Sequence, residues 1–265
     1  MNTKIYPSFG QAFVLILFLL VAGLAGFPGY IPYLIWKTEF THNIGYISIY
    51  VAAFVLTIHK AVNAIRRSGD RFSISTLFKK DIDWIQAVIL IFLTLTIGCC
   101  TGYLTRLFEL TNLFEADITR TMKYPTIAFV EVVILPAFLE EILIRGIFLE
   151  RFLQRYSAWV AILMSAFLFG VMHGNPSQIF EGFIVGCFLG FVYVRTRNIK
   201  YCILIHFVNN GFAWLGYQLS SHFQDSPVTI FLNGIDTNPA VFYVSLVLSI
   251  AGLFLLNKRY ENPAS

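Results

Sequence analysis

Residues 124–149 read YPTIAFVEVVILPAFLEEILIRGIFL, and the reading of this stretch decides the fold. It is apolar apart from a handful of charged groups. At about 1.5 Å per residue it is long enough, as a helix, to cross the ~30 Å hydrocarbon core of a bilayer. The rest of the chain has the same character. Hydrophobic residues make up 57% of the 265 and charged residues only 13%, against roughly 25% charged in a soluble domain. Mean hydropathy is +0.70. With so little polar surface the solvent for most of this chain must be lipid, and an all-α, polytopic membrane bundle is expected.

Working outward, eight apolar segments are candidate transmembrane helices: 11–36, 43–59, 84–104, 124–149, 157–174, 178–195, 199–219 and 239–257. The second, fifth and sixth are short or interrupted. The first resembles a signal peptide at its start, but it continues apolar to Trp36, too far for an h-region, and is read as a retained span. With the N-terminus inside, the inner side holds 15 of the 19 Lys and Arg, or 14 without Arg145, which sits within a span, and the outer side only Lys37, Arg106, Arg120 and Lys123. The positive-inside rule then predicts both termini in the cytoplasm. The net charge of +4 is therefore an orientation signal, and no nucleic-acid partner is expected. Cys99, Cys100, Cys187 and Cys202 all lie in apolar stretches with no C-x-x-C pair, which argues against a disulfide framework or a thiolate zinc site. Residues 1–265 read as a single integral membrane domain. Gly182, Gly186 and Gly190 form a G-x-x-x-G ladder suited to close helix packing.

Against this background the polar residues inside the spans stand out, because a charge at mid-bilayer costs at least ~2.5–3.5 kcal/mol. The run EEILIRG carries Glu140, Glu141 and Arg145. Glu141 and Arg145, four apart, share a helix face with the acid N-terminal, the better order for an ion pair. Glu140 points about 100° away. The bland alternative is snorkelling at a helix end. FGVMHGN places Phe169 and His173 on one face, and HFVNN does the same for His206 and Asn210. Each signal alone is weak, and interhelical glue would account for the His/Asn pair. Together they supply a carboxylate base, imidazoles and an amide, a complete set for hydrolysis.

The order EExxxR (Glu140 to Arg145), FxxxH (Phe169 to His173) and HxxxN (His206 to Asn210) resembles the CPBP family of CAAX proteases and bacteriocin-processing enzymes, over a core of residues 124–215. The resemblance implies an intramembrane endopeptidase. Glu140 would activate water together with His173, His206 and Asn210 would stabilise the oxyanion, and Glu141, Arg145 and Phe169 would support the site. Glu140, His173 and His206 could also hold Zn²⁺, but no H-E-x-x-H signature is present and a metal-free, glutamate-driven hydrolysis is the preferred reading. The expected partners are the lipid bilayer and a peptide or membrane-protein substrate (a prenylated C-terminus, a bacteriocin or signal peptide, or another membrane protein). The expected location is a prokaryotic cytoplasmic membrane. A non-catalytic immunity or scaffold protein of the same fold is the alternative, and a proton-relay transporter is disfavoured by the lack of duplicated halves. One requirement follows from depth. A straight, upright fifth helix would carry His173 roughly 27 Å from Arg155, beyond Glu140, so that helix must tilt, start late or begin with a non-spanning segment.

Overall fold

In the computed structural model of the protein, residues 5–223, 234–235 and 237–261 are described, and every regular element among them is helical. The chain runs through α1 (Phe9–Trp36), α2 (Glu39–Arg67), α3 (Trp84–Leu107) and the short α4 (Glu115–Met122). It continues through α5 (residues 125–152), α6 (Ala158–Val171), α7 (Pro176–Thr196), α8 (Ile199–His222) and α9 (Pro239–Glu261). The starts are chemically marked. Ser8 and Gln11 form a capping box at α1, and Thr38, Asp83 and Asn198 accept first-turn amides at α2, α3 and α8.

All eight apolar segments expected from the sequence fall on helices. Five of the helices, α1, α2, α3, α7 and α9, are long and apolar enough to cross a membrane. Leu20, Leu24, Val247 and Phe254 point outward from them, 64–70% exposed, a surface that only lipid would cover. The protein is a polytopic helical membrane protein. The simple picture of eight upright spans is corrected at the fifth segment. α6 has 14 residues, about 21 Å of helix, short of the ~30 Å core. α5 and α8 are the helices whose apolar character is broken by the EEILIR and HFVNN motifs.

Segments that alternate along the chain meet at common ends. At one end Arg151 pairs with Asp70, Arg197 with Glu150 at 2.9 Å, and Arg259 with Asp83 at 2.6 Å, while Lys80 donates to the Thr196 carbonyl at 2.8 Å. These are the segments that the charge count assigns to the inner side. At the other end Arg120 pairs with Glu39 at 3.2 Å, and the Leu113 amide donates to Asn175 Oδ1 at 3.0 Å.

α5 is not a regular α-helix. Turns of α type at Leu135–Glu141 are flanked by wider π-type turns at Phe129–Ile134 and Ile142–Leu149. At the first of these Pro136 has no amide hydrogen for the Val132 carbonyl one turn earlier. Asn210 Nδ2 on α8 donates to that carbonyl instead, at 2.8 Å. The glycine ladder seats α7 on α6. A Cβ at Gly186 would lie 3.0 Å from Ala166 Cα, and one at Gly182 3.3 Å from Gly170 Cα. Gly186→Val is therefore expected to destabilise the protein by roughly 1–3 kcal/mol, the usual cost of overpacking. A thermal melt in detergent checks this, and an unchanged midpoint would mean that the two helices are not in contact along the ladder.

Candidate active site

Glu140 and Glu141 leave α5 in different directions, as their one-residue offset requires, and enter different environments. Glu141 and Arg145 have 0% side-chain exposure and form an ion pair of 2.7 Å, so neither snorkels to an interface. Arg145 Nη2 donates to the Gly186 carbonyl at 3.2 Å, and its guanidinium lies 4.3 Å from the centroid of the Phe169 ring. Two imidazoles also meet that ring in edge-type contacts, with His173 5.3 Å and His206 5.6 Å away between centroids. Phe169 thus touches the Arg145 guanidinium and both imidazoles, while His206 also reaches the ion pair directly.

Both histidines are oriented through Nδ1. The Phe169 carbonyl lies 2.8 Å from His173 Nδ1. A carbonyl oxygen can only accept, so this nitrogen carries a hydrogen. Glu141 Oε1, which also accepts from Arg145, accepts in the same way from His206 Nδ1 at 2.8 Å. Each ring therefore turns Nε2 toward Glu140. The separations from Glu140 Oε2 are 3.9 Å for His173 and 4.0 Å for His206. Glu140 is buried, its Oε1 accepts from the Tyr50 hydroxyl at 2.7 Å, and its Oε2 has no partner.

His173 reaches Glu140 because it lies beyond the end of the short α6, in a tight turn where the His173 amide bonds back to the Gly170 carbonyl at 3.1 Å. That turn leads through Asn175 into α7, and Asn175 is buried and tied to Asn112 and Leu113 after α3. Glu140, His173, His206 and Asn210 all line one cavity of about 510 Å³, with Tyr50, Glu131, Gln178, Glu181 and Trp214 among the other walls. Asn210 reaches the cavity while spending one N–H on Val132 and accepting from Asn209 Nδ2 at 3.2 Å. Phe169 lines the same cavity, and Glu141 and Arg145 stand behind it.

Tyr50 is the contributor that the motifs miss. It lies on α2, ninety residues from Glu140, in a run whose tyrosines and apolar neighbours look like ordinary membrane-helix composition.

As a metal centre the set is chemically suited but too open. Two imidazole nitrogens and a carboxylate oxygen are zinc donors, and both rings have the Nδ1 partners that metal-bound histidines show. Tetrahedral zinc, however, holds such donors about 3.4 Å apart, less than the 3.9 and 4.0 Å found. Among the described residues no three His, Cys, Asp or Glu side chains group closely enough to hold an ion.

Fold and site together define a helical integral membrane protein with a buried carboxylate–histidine centre opening on a cavity. Residues 122–212, which hold all three motifs, match the family model of Rce1-like type II CAAX prenyl endopeptidases. The match bears out the resemblance read from the motifs and covers about a third of the chain. No curated protein and no solved structure matches the chain.

The ion pair gives the first test of this arrangement. Arg145→Met alone leaves Glu141 buried and unpaired, and a loss of about 3–5 kcal/mol is expected. Adding Glu141→Leu removes the orphaned charge and is expected to recover much of the melting temperature. If the single and double variants melt together, the pair is not the buried unit described.

Proposed function

We infer that the protein is an intramembrane endopeptidase whose site is carried by Glu140, His173, His206 and Asn210, within one membrane domain and acting on a peptide or membrane-protein substrate held in the bilayer. The observation that carries this reading is Glu140 Oε2, buried without a partner, with the Nε2 atoms of both histidines 3.9 and 4.0 Å away. These gaps are too long for direct hydrogen bonds and suit an intervening water at ordinary hydrogen-bond lengths. The family match supports a protease at the level of the family.

In this reading the water donates one hydrogen to Glu140 Oε2 and the other to the His173 Nε2 lone pair. Glu140 takes the proton as the water oxygen attacks the scissile carbonyl carbon. The carbonyl π electrons move to oxygen, and the resulting oxyanion is received by the second N–H of Asn210 and by His206 Nε2–H. His206 serves in this step with a hydrogen on both ring nitrogens, Nδ1–H donating to the Glu141 carboxylate at 2.8 Å. Glu140 then gives its proton to the amide nitrogen as the C–N bond breaks and the carbonyl re-forms. No step in this reading needs a metal.

Three outcomes are expected when purified protein is incubated with membrane peptides. Glu140→Gln lowers cleavage by on the order of 10³-fold and His173→Ala by on the order of 10²-fold, the range for loss of a positioned base or its partner. A chelator leaves the wild-type rate unchanged. Cleavage that persists in correctly inserted Glu140→Gln would overturn the reading and favour a binding or scaffold role. Loss on chelation with rescue by Zn²⁺ would overturn the metal-free mechanism.

Tyr50→Phe offers a finer test, since it removes only the hydroxyl that holds Glu140 Oε1. Turnover is expected to fall about 10-fold, corresponding to one hydrogen bond to a charged group, with KM and melting temperature near wild type. An unchanged kcat would remove Tyr50 from the site.

A further inference from the structure

We propose that Glu131 is a specificity-determining residue of the same cavity and binds a basic side chain of the substrate peptide. This proposal rests on the peptidase reading above. Glu131 lines the cavity, and its Oε2 is shut off from solvent with no hydrogen-bond partner. Glu131 as a whole is half-buried, but this oxygen, when ionised, carries a desolvation cost that no hydrogen bond in the described chain offsets, and such exceptions call for an explanation. The hydrolytic mechanism does not supply one. Glu131 precedes Glu140 by about two and a half turns of α5, roughly 13 Å along the axis, too far to act on the same bond.

The surroundings determine what an incoming group must be. The ionisable walls of the cavity are Tyr50, Glu131, Glu140, Glu181, His173 and His206, and no Lys or Arg lines it among the described residues. The nearby cations are committed elsewhere. Arg145 is paired with Glu141 behind Phe169, and Arg120 is paired with Glu39 and Asp117. A second carboxylate, Glu181, accepts from Thr105 and adds to the negative sign of the wall. The group that would compensate Glu131 is therefore cationic and arrives with the substrate.

The spacing gives its position. An extended peptide rises about 3.3 Å per residue, so the distance from Glu140 to Glu131 corresponds to about four residues from the cleaved bond. A lysine or arginine there would meet the orphaned carboxylate. A free C-terminal carboxylate there would meet only like charge. The geometry thus favours an internal bond in a segment that carries a basic residue over a cut with the chain's free C-terminus turned toward Glu131.

The test reads binding rather than cleavage, so it stands apart from the hydrolytic claim. Full-length Glu140→Gln protein in detergent is titrated with fluorescent apolar peptides of about 20 residues, each carrying one lysine stepped along the sequence, with norleucine at the same position as control. One narrow register of lysine is expected to bind about 10-fold tighter than its norleucine counterpart, the value of one charge-assisted contact. Adding Glu131→Gln abolishes that difference, and Glu131→Asp retains it. No lysine preference at any register, or a preference that survives Glu131→Gln, overturns the proposal. Failure of the peptidase reading has a different signature, a wild-type protein that cleaves none of the same peptides.

Discussion

The Glu141–Arg145 pair lies wholly out of solvent, and its hydrogen bonds beyond the pair itself, to the Gly186 carbonyl and from His206 Nδ1, come from helices other than its own. The pair itself is local, four residues apart on α5, and would form in any helix. Its remaining contacts are not local. Arg145 needs the Gly186 carbonyl on α7 and the face of Phe169 on α6, and Glu141 needs the His206 imidazole on α8. Until those three helices dock, a charged pair sits in an apolar environment with unused donors and acceptors. A buried pair is weak evidence of net stability, but here it selects one docking geometry. Apolar helices in lipid gain little from the hydrophobic effect when they associate, so polar groups that are satisfied in only one arrangement can fix register.

The glycines on α7 make this arrangement reachable. The Gly186 carbonyl can accept from Arg145 because α7 lies close against α6 at that glycine, where even a Cβ would crowd Ala166. The same approach fixes the end of α6, and with it the turn that brings His173 to Glu140. A ladder that looks like scaffold alone is therefore one support of the site's geometry. Pro136 does similar work on α5, because it frees the Val132 carbonyl and Asn210 crosses from α8 to fill it. A residue expected to act on substrate thus also repairs the backbone it faces.

The membrane class, the segments that become helices and the polar set on α5, α6–α7 and α8 were legible in the sequence, for definite reasons. Composition reports the solvent, and charged or imidazole groups in apolar runs are too costly to be accidental. Helical periodicity separates Glu140 from Glu141 without knowledge of any neighbour. What was not legible depends on tertiary contact. Whether α6 spans the bilayer rests on where Ser157 and Met172 fall relative to the turns, which hydropathy does not report. Tyr50 gave no signal, because a tyrosine in an aromatic-rich membrane helix is ordinary until Glu140 is found 2.7 Å from its hydroxyl. Glu131 stood in plain view within the stretch that decides the fold, but only the cavity distinguishes it from an acid near a helix end.

The two oxygens of Glu140 show how these supports converge on chemistry. A free carboxylate rotates, and both its oxygens compete for any proton or water. Here Oε1 is occupied by a hydroxyl from α2, so the torsion is set and Oε2 alone is left facing the two Nε2 atoms. Those nitrogens face it because their Nδ1 partners hold the rings: a backbone carbonyl for His173, and for His206 a carboxylate already committed to Arg145. Each orienting group is therefore itself oriented, and the sequence ends at the buried pair. A loosened pair would disturb the His206 ring first. It would then disturb the spacing around Glu140 Oε2, although neither Glu141 nor Arg145 lines the cavity.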